Sequence, residues 1–179
     1  MRSRSRWVVL VLMCGALLPV VSGCHASSST SDPATTVSPA ALDANATVEY
    51  VVDGDTIDAL IDGRTDRVRL IGIDTPETKK PNTPVECYGP EATAFTESLL
   101  PIGTPIRIER DTVNRDDFGR LLGYVYRAED GVFVNYESIR QGYATPLSIE
   151  PNITYIDLFV GAARAAESDD VGLWSACSQ

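Results

Sequence analysis

A β-type run that turns without a break into a proline-stiffened acidic corner limits this chain more than any other feature. The run is Arg69-Leu70-Ile71-Gly72-Ile73-Asp74-Thr75-Pro76-Glu77. Val68, Leu70, Ile71 and Ile73 supply the β-branched and apolar bulk of a strand. Gly72 permits a bulge or a close backbone approach. Pro76 fixes its own φ and pushes Thr75 into an extended conformation. Strict alternation would put Arg69 and Asp74 on opposite faces of a strand. Gly72, or the bend after Ile73, must break that alternation if both side chains serve one site.

The residues at this corner carry a recognisable chemistry. One guanidinium (Arg69) and two carboxylates (Asp74, Glu77) stand together. A second acidic pair, Asp53 and Asp55, flanks Gly54 upstream, and Arg120 follows Asp117-Phe118-Gly119 downstream. Carboxylate oxygens hold hard cations such as Ca²⁺ or Mg²⁺. A further carboxylate can polarise a water, and guanidinium groups neutralise charge building on a phosphate. Each piece alone reads more readily as an Asp-Thr-Pro turn with surface ion pairs. Together they suit metal-assisted attack on a phosphodiester.

The N-terminal part reads as an address rather than as fold. Arg2, Arg4 and Arg6 form a basic start, Trp7 to Val21 an apolar run, and Val21-Ser22-Gly23-Cys24 a set of small residues before a cysteine. We expect a lipoprotein-type export signal over 1–23, a lipid on the Cys24 thiol and an anchor on the outer face of a bacterial cell membrane. Residues 24–43 are Ser/Thr/Ala/Pro-rich and read as a disordered tether. Residues 44–179 then form one domain with one core. Without the three signal arginines, 12 basic residues face 25 acidic ones. Such a charge makes a poor general coat for DNA or RNA, though it leaves room for an enzyme that grips single phosphates. The single histidine, His25, falls in the tether, which excludes chemistry that needs an imidazole from the domain. No Cys-x-x-Cys, Gly-x-Ser-x-Gly, Walker loop or His-Glu-x-x-His occurs. Outside the signal and the lipid site, Cys87 and Cys177 remain and in an exported chain most simply pair. Nothing suggests an oligomer, so a monomer is expected.

Along the domain, strands are expected over Val48–Val52, Thr56–Ile61, Asp66–Ile73, Pro105–Glu109 and Leu121–Tyr126. Helices are expected from Gly89 to before Pro101, from Asn135 as N-cap to Gln141, and from Pro151 to Glu167 with Ile156, Val160 and Ala163 on its apolar stripe. Asp111 to Gly119 reads as a mobile polar loop, and Trp174 as a cap on the core. Five short strands with interleaved helices suggest an α+β fold, a small barrel of the OB type with about three helices.

The ordered motifs Val52-Asp53-Gly54-Asp55-Thr56, Val68-Arg69-Leu70, Asp74-Thr75-Pro76-Glu77-Thr78, Tyr88-Gly89-Pro90-Glu91-Ala92, Asp117-Phe118-Gly119-Arg120, Arg140-Gln141-Gly142 and Leu173-Trp174-Ser175 resemble the staphylococcal nuclease (thermonuclease) family. The resemblance covers essentially the whole domain. It implies an OB-type barrel and a Ca²⁺-dependent endonuclease acting on DNA and RNA. It implies that Asp55 and Asp74 are the calcium-binding carboxylates and that Thr75 lends a backbone carbonyl. Glu77 would be the general base on the attacking water, Arg69 and Arg120 the phosphate-binding arginines, and Asp53 a residue that tunes the metal site without ligating it. Several departures are visible, among them a less basic loop after Glu77. Phe118 stands where the family stacks a tyrosine on the nucleotide, so stacking survives and a hydroxyl is lost. Asp117 replaces a lysine, and the segment after Gly142 lacks the later tyrosines of the best-known member. Weaker or altered substrate binding is therefore expected. The alternative reading is a catalytically weak or inactive nucleic-acid-binding lipoprotein on the same barrel.

Overall fold

The computed structural model describes residues 41–79 and 84–177. The stretches expected to form an export signal and a tether, with Cys24, lie outside the described residues up to residue 40. Strands β1 (Ala46–Asp53), β2 (Thr56–Ile61), β3 (Arg64–Leu70), β5 (Pro105–Glu109) and β6 (Leu121–Arg127) close into a barrel in the order β1-β2-β3-β6-β5. Only β3 and β6 run parallel; the other neighbours are antiparallel. The short β4 (Ile73–Asp74) pairs with β7 (Thr145–Pro146) outside the barrel. Helices α1 (Gly89–Leu99), α2 (Val134–Arg140), α3 (Ile156–Ser168) and α4 (Leu173–Ala176) complete the domain. This is the expected OB-type α+β architecture.

Alternation builds the barrel interior. Ile57 and Ala59 of β2, Val68 and Leu70 of β3, Ile106 of β5 and Val125 of β6 are all fully buried. Burying each of the Val, Leu and Ile side chains among these contributes roughly 1.5–3 kcal/mol. Beneath the barrel a second apolar layer gathers Tyr124, Phe133, Tyr155 and Phe159, whose rings meet edge-on or tilted. Thr96, on the inward face of α1, donates its hydroxyl to the Gly54 carbonyl at 2.7 Å and so ties the helix to the β1–β2 turn.

Several elements depart from the sequence expectation. The strand expected over Asp66–Ile73 stops at Leu70. Gly72 has φ +78°, and a Cβ on it would lie 2.5 Å from the Phe159 ring. The chain therefore turns at Ile71-Gly72 and restarts as β4. Asn135 is no N-cap: Phe133 holds that position. Fully buried, the Asn135 side chain accepts the Val125 N–H and donates to the Ile71 carbonyl, both at 2.9 Å. Helix α3 begins at Ile156 rather than Pro151, because Asn152 spends its amide on both backbone groups of Val113 instead of on a helix. Its buried face holds Phe159, Ala162, Ala163 and Ala166, while Ile156 and Val160 lie at its margin. Trp174 is half-buried in α4 and does not belong to the core. What docks α4 is backbone: Leu173 N–H donates to the Gly142 carbonyl at 2.8 Å, and Gly142 and Gly172 touch so closely that neither has room for a Cβ. The expected Cys87–Cys177 bridge is present, across a separation of 90 residues. Closing so long a loop contributes about 4–5 kcal/mol on the chain-entropy account.

Candidate active site

The turn between β1 and β2 presents Asp53, Gly54 and Asp55. Gly54 lets the Thr75 side chain approach to within 2.8 Å of where a Cβ would stand. Asp55, 6% exposed, faces this contact. Its Oδ2 accepts the Thr75 N–H at 2.9 Å and the Thr75 hydroxyl at 3.0 Å, and its Oδ1 accepts the Thr56 hydroxyl at 3.1 Å. Asp55 is thus bound to the very residue that follows Asp74. The turn at Gly72 resets the strand alternation, so Arg69 reaches both acidic groups. Its Nη1 lies 2.9 Å from Asp55 Oδ2, and its Nη2 donates to Asp74 Oδ1 at 3.0 Å. Nη1 also donates to the Leu70 and Ile73 carbonyls at 2.9 and 3.0 Å, which fixes the guanidinium plane.

Electrostatics mark the same place. Burial, and then the charge of Asp55, push the Asp53 carboxyl up to about 6. Burial also raises Asp74; the Arg69 guanidinium opposes this, and the charges of Asp55, Glu86 and Glu77 add to it. Several carboxylates therefore crowd one guanidinium. Such crowding fits a divalent cation, since hard oxygen donors take hard ions and the ion offsets their mutual repulsion. Asp55 and Asp74, joined through Arg69 and Thr75, are the carboxylates that such an ion would meet here. Among the described residues no group of three or more Asp, Glu, His or Cys side chains stands preformed as a metal cluster.

Glu77 follows Pro76 and is half-buried. Its Oε1 accepts the N–H groups of Thr78 and Lys79 at 2.8 and 2.7 Å. Its backbone is held by Glu86, whose N–H donates to the Glu77 carbonyl and whose Oε2 accepts the Glu77 N–H, both at 2.9 Å. Sequence reading missed Glu86. The one available signal was its place beside Cys87.

On the other side of Arg69 opens a cavity of about 470 Å³, bounded by Arg69, Gly72, Phe118, Arg120, Ile149 and Asn152 among others. The parallel pairing of β3 with β6 sets Arg69 opposite Leu122 and brings Arg120 to this mouth. Asp116, also missed, orients Arg120: its Oδ2 accepts Nε at 2.6 Å and its Oδ1 accepts the Arg120 N–H at 2.9 Å. Burial alone would raise the Asp116 carboxyl, but these Arg120 bonds outweigh it and hold it below the usual carboxylate range. The Arg120 guanidinium stands 5.6 Å from the Phe118 ring centre, a cation–π distance. Phe118 itself is 86% exposed, a large apolar ring facing outward from the cavity wall. The loop expected to be mobile is tied at Asp111 to Tyr124, at Val113 to Asn152 and at Arg115 to Asp66.

The structure thus brings Asp53, Asp55, Arg69, Asp74 and Thr75 together, sets Glu77 at the end of the same turn, and joins Arg120 and Phe118 through the cavity that Arg69 shares. The family described as staphylococcal nuclease homologue matches residues 67–176. The chain is 41% identical over 133 residues to endonuclease YncB of Bacillus subtilis, covering 73% of this chain and 62% of that protein. It is 40% identical over 127 residues to the thermonuclease of Staphylococcus intermedius, covering 71% of this chain and 74% of that one. The match to the SPbeta prophage-derived endonuclease YokF of Bacillus subtilis is 41% over 131 residues, 72% of this chain and 43% of the relative. With most of the domain matched in this way, the chain belongs to the staphylococcal nuclease family.

Proposed function

We propose that this protein is a Ca²⁺-dependent endonuclease that hydrolyses phosphodiester bonds of DNA and RNA, exported and held at the outer face of the membrane by a lipid on Cys24. One observation carries the catalytic part: a single guanidinium, that of Arg69, bonds the Asp74 carboxylate, contacts the Asp55 carboxylate and also lines a nucleotide-sized cavity with Arg120 and Phe118. Family membership, and relatives that are an endonuclease and a thermonuclease, support the same reading.

The chain's own residues account for the chemistry. Phe118 offers a face on which a base can stack, which positions the strand. Arg69 and Arg120 neutralise the phosphate as negative charge builds on its oxygens. Glu77 takes a proton from the water that attacks phosphorus. The new P–O bond forms as the P–O ester bond opposite breaks; the leaving oxygen takes up a proton from solvent, to which Glu77 returns the one it accepted. A bound cation supplies Lewis acidity and further charge neutralisation beside Asp55 and Asp74. The net acidity of the domain keeps non-specific binding weak, so affinity without metal is expected to be low and steeply salt-dependent.

The test uses the full chain in detergent, with denatured DNA and with RNA, in Ca²⁺, Mg²⁺ or EDTA. Degradation that requires Ca²⁺ and stops in EDTA is expected. Binding without cleavage in any metal would sink the enzymatic reading and leave a nucleic-acid-binding lipoprotein. Metabolic labelling with a radiolabelled fatty acid, lost in Cys24→Ser, tests the anchor.

A further inference from the structure

Glu86 grips Glu77 at two points. Its N–H bonds the Glu77 carbonyl and its carboxylate accepts the Glu77 N–H, each at 2.9 Å, across a separation of nine residues. Both backbone polar groups of Glu77 are therefore spent on one residue. The Glu86 side chain is exposed. An exposed hydrogen bond exchanges readily with water unless the backbones at both ends are held. Here they are held, by three contacts, the last two acting in series.

The first is the start of α1. Gly89 N–H donates to the Glu86 carbonyl at 3.1 Å. A Cβ on Gly89 would meet Thr78 Cγ2 at 2.7 Å, the Pro76 carbonyl at 3.0 Å and the Glu77 carbonyl at 3.3 Å. The helix start thus rests directly on the backbone of the Glu77 turn. The second is the disulfide. Cys87, the next residue after Glu86, is bonded to Cys177 at the end of α4. The third is the seat of α4, which hangs on the Gly142–Gly172 backbone contact and on the Leu173 N–H to Gly142 bond. A continuous line of covalent and backbone contacts therefore runs from the loop after α2, through α4 and the disulfide, to Glu86 and Glu77. Asp74, Glu86, Cys87 and Cys177 line one cavity of about 310 Å³, so the bridge forms a wall of the same space that Asp74 faces.

We propose that Glu86 is a positioning residue that holds Glu77 in its working place, and that the Cys87–Cys177 bridge fixes Glu86 for that task. This rests on the reading of Glu77 as the base. It makes the chain's nuclease activity depend on an oxidised pair far from the reacting atoms in sequence. Under reducing conditions the domain loses the bridge's contribution to stability, but the barrel and its core, which do not involve the bridge, are expected to keep it folded while the turn that carries Glu77 loosens.

The test measures kcat and KM of the full chain on denatured DNA in Ca²⁺, with amide exchange of the Glu77 N–H in the metal-free protein as a second readout. Glu86→Ala is expected to lower kcat about 10-fold at nearly constant KM, since small misplacements of a catalytic group cost this much or more. Glu86→Gln keeps an acceptor oxygen and is expected to recover most of that loss. Exchange at Glu77 should accelerate in Glu86→Ala and in the reduced wild type. The paired Cys87→Ser and Cys177→Ser variant should lose activity in the wild-type background and lose little more when added to Glu86→Ala, as coupled sites do. Wild-type kcat and unchanged Glu77 exchange in Glu86→Ala, beside an inactive Glu77→Gln, would overturn this inference and leave the base assignment standing. An active Glu77→Gln would overturn the base assignment first. If Glu86→Ala fails to fold, Glu86→Gln and reduction of the wild type decide the matter by the same two readouts.

Discussion

The two sides of Arg69 are built in different ways. On one side stand Asp55, Asp74, Thr75 and Glu77, each held by backbone: the β1–β2 turn, the Gly54–Thr75 contact, the β4–β7 pair and the clamp of Glu86. On the other side lies the groove of Phe118, Arg120 and Ile149, carried on loops, with two rings or side chains of bare apolar surface and the carboxylates of Asp116 and Asp117 at its edge. Chemistry needs the first kind of construction, since a base or phosphate-binding group must sit within a fraction of an ångström of its place. Binding a varied strand tolerates the second, because stacking on an aromatic face is insensitive to base identity. The acidic edge of the groove is where this chain departs most from a basic nucleic-acid binder.

Removing one group on the rigid side should have the greatest effect. Glu77→Gln is expected to lower kcat by about 10³-fold with KM little changed, read by steady-state cleavage of denatured DNA. A smaller loss would mean that Glu77 only shapes the turn. Next comes the junction of the two regions. Gly72→Ala must adopt φ +78° and drive a methyl into Phe159, so it should destabilise the fold by roughly 3 kcal/mol in urea unfolding. A negligible loss would show that the turn relaxes and that the alternation is reset elsewhere. On the loop side, Phe118→Ala should raise KM about 10-fold and leave kcat nearly intact, as expected for lost stacking. An equal fall in kcat would erase the distinction between the two regions.

Two further measurements sharpen it. Asp111 anchors the groove loop by accepting the Tyr124 hydroxyl at 2.9 Å and the Thr154 N–H at 3.1 Å. Burial works against its charge, but these bonds prevail and hold its carboxyl below the ordinary range. A depressed carboxylate contributes stability above its unfolded pKa and loses it as pH falls through the folded value. Asp111→Asn should therefore cost roughly 1 kcal/mol near neutrality, with the difference in Tm closing under acid. A gap that widens at low pH would contradict the assignment. The mildest change is Asp117→Asn, which removes a like charge from the strand's approach. It should lower KM about 3-fold in dilute salt and by less in concentrated salt, as a screened surface charge does. Equal effects in both would place Asp117 in direct contact instead.

Much of this molecule was legible in its sequence. The strands at Thr56–Ile61 and Pro105–Glu109 fall where alternation puts them, because a half-buried strand writes its two faces into consecutive residues. The motif residues around Asp55, Arg69 and Asp74 do gather at one place, since local turn chemistry at Gly54 and Pro76 aims them. The pairing of Cys87 with Cys177 followed from there being no other partner in the domain.

What remained hidden were side chains whose partners are set by tertiary packing rather than by local spacing. Asn135 looks like a helix cap locally, yet tertiary packing buries it between Val125 and Ile71 and gives its amide better use there. Phe159, on a stripe with Ala162, Ala163 and Ala166 rather than with Val160, turns inward, and its ring packs on Gly72 where a Cβ would lie 2.5 Å away. Glu86 sits in a stretch with no secondary-structure pattern, and only the closing of its loop sets its carboxylate on Glu77. Sequence by itself determined the residue types, their local turns and the barrel they can form, because those follow from spacing and from φ preferences over a few residues. The tertiary structure decided which carboxylate meets which donor, because bonds such as Glu77 to Glu86, nine residues apart, and Thr154 to Asp111, 43 apart, form only once the chain has closed on itself.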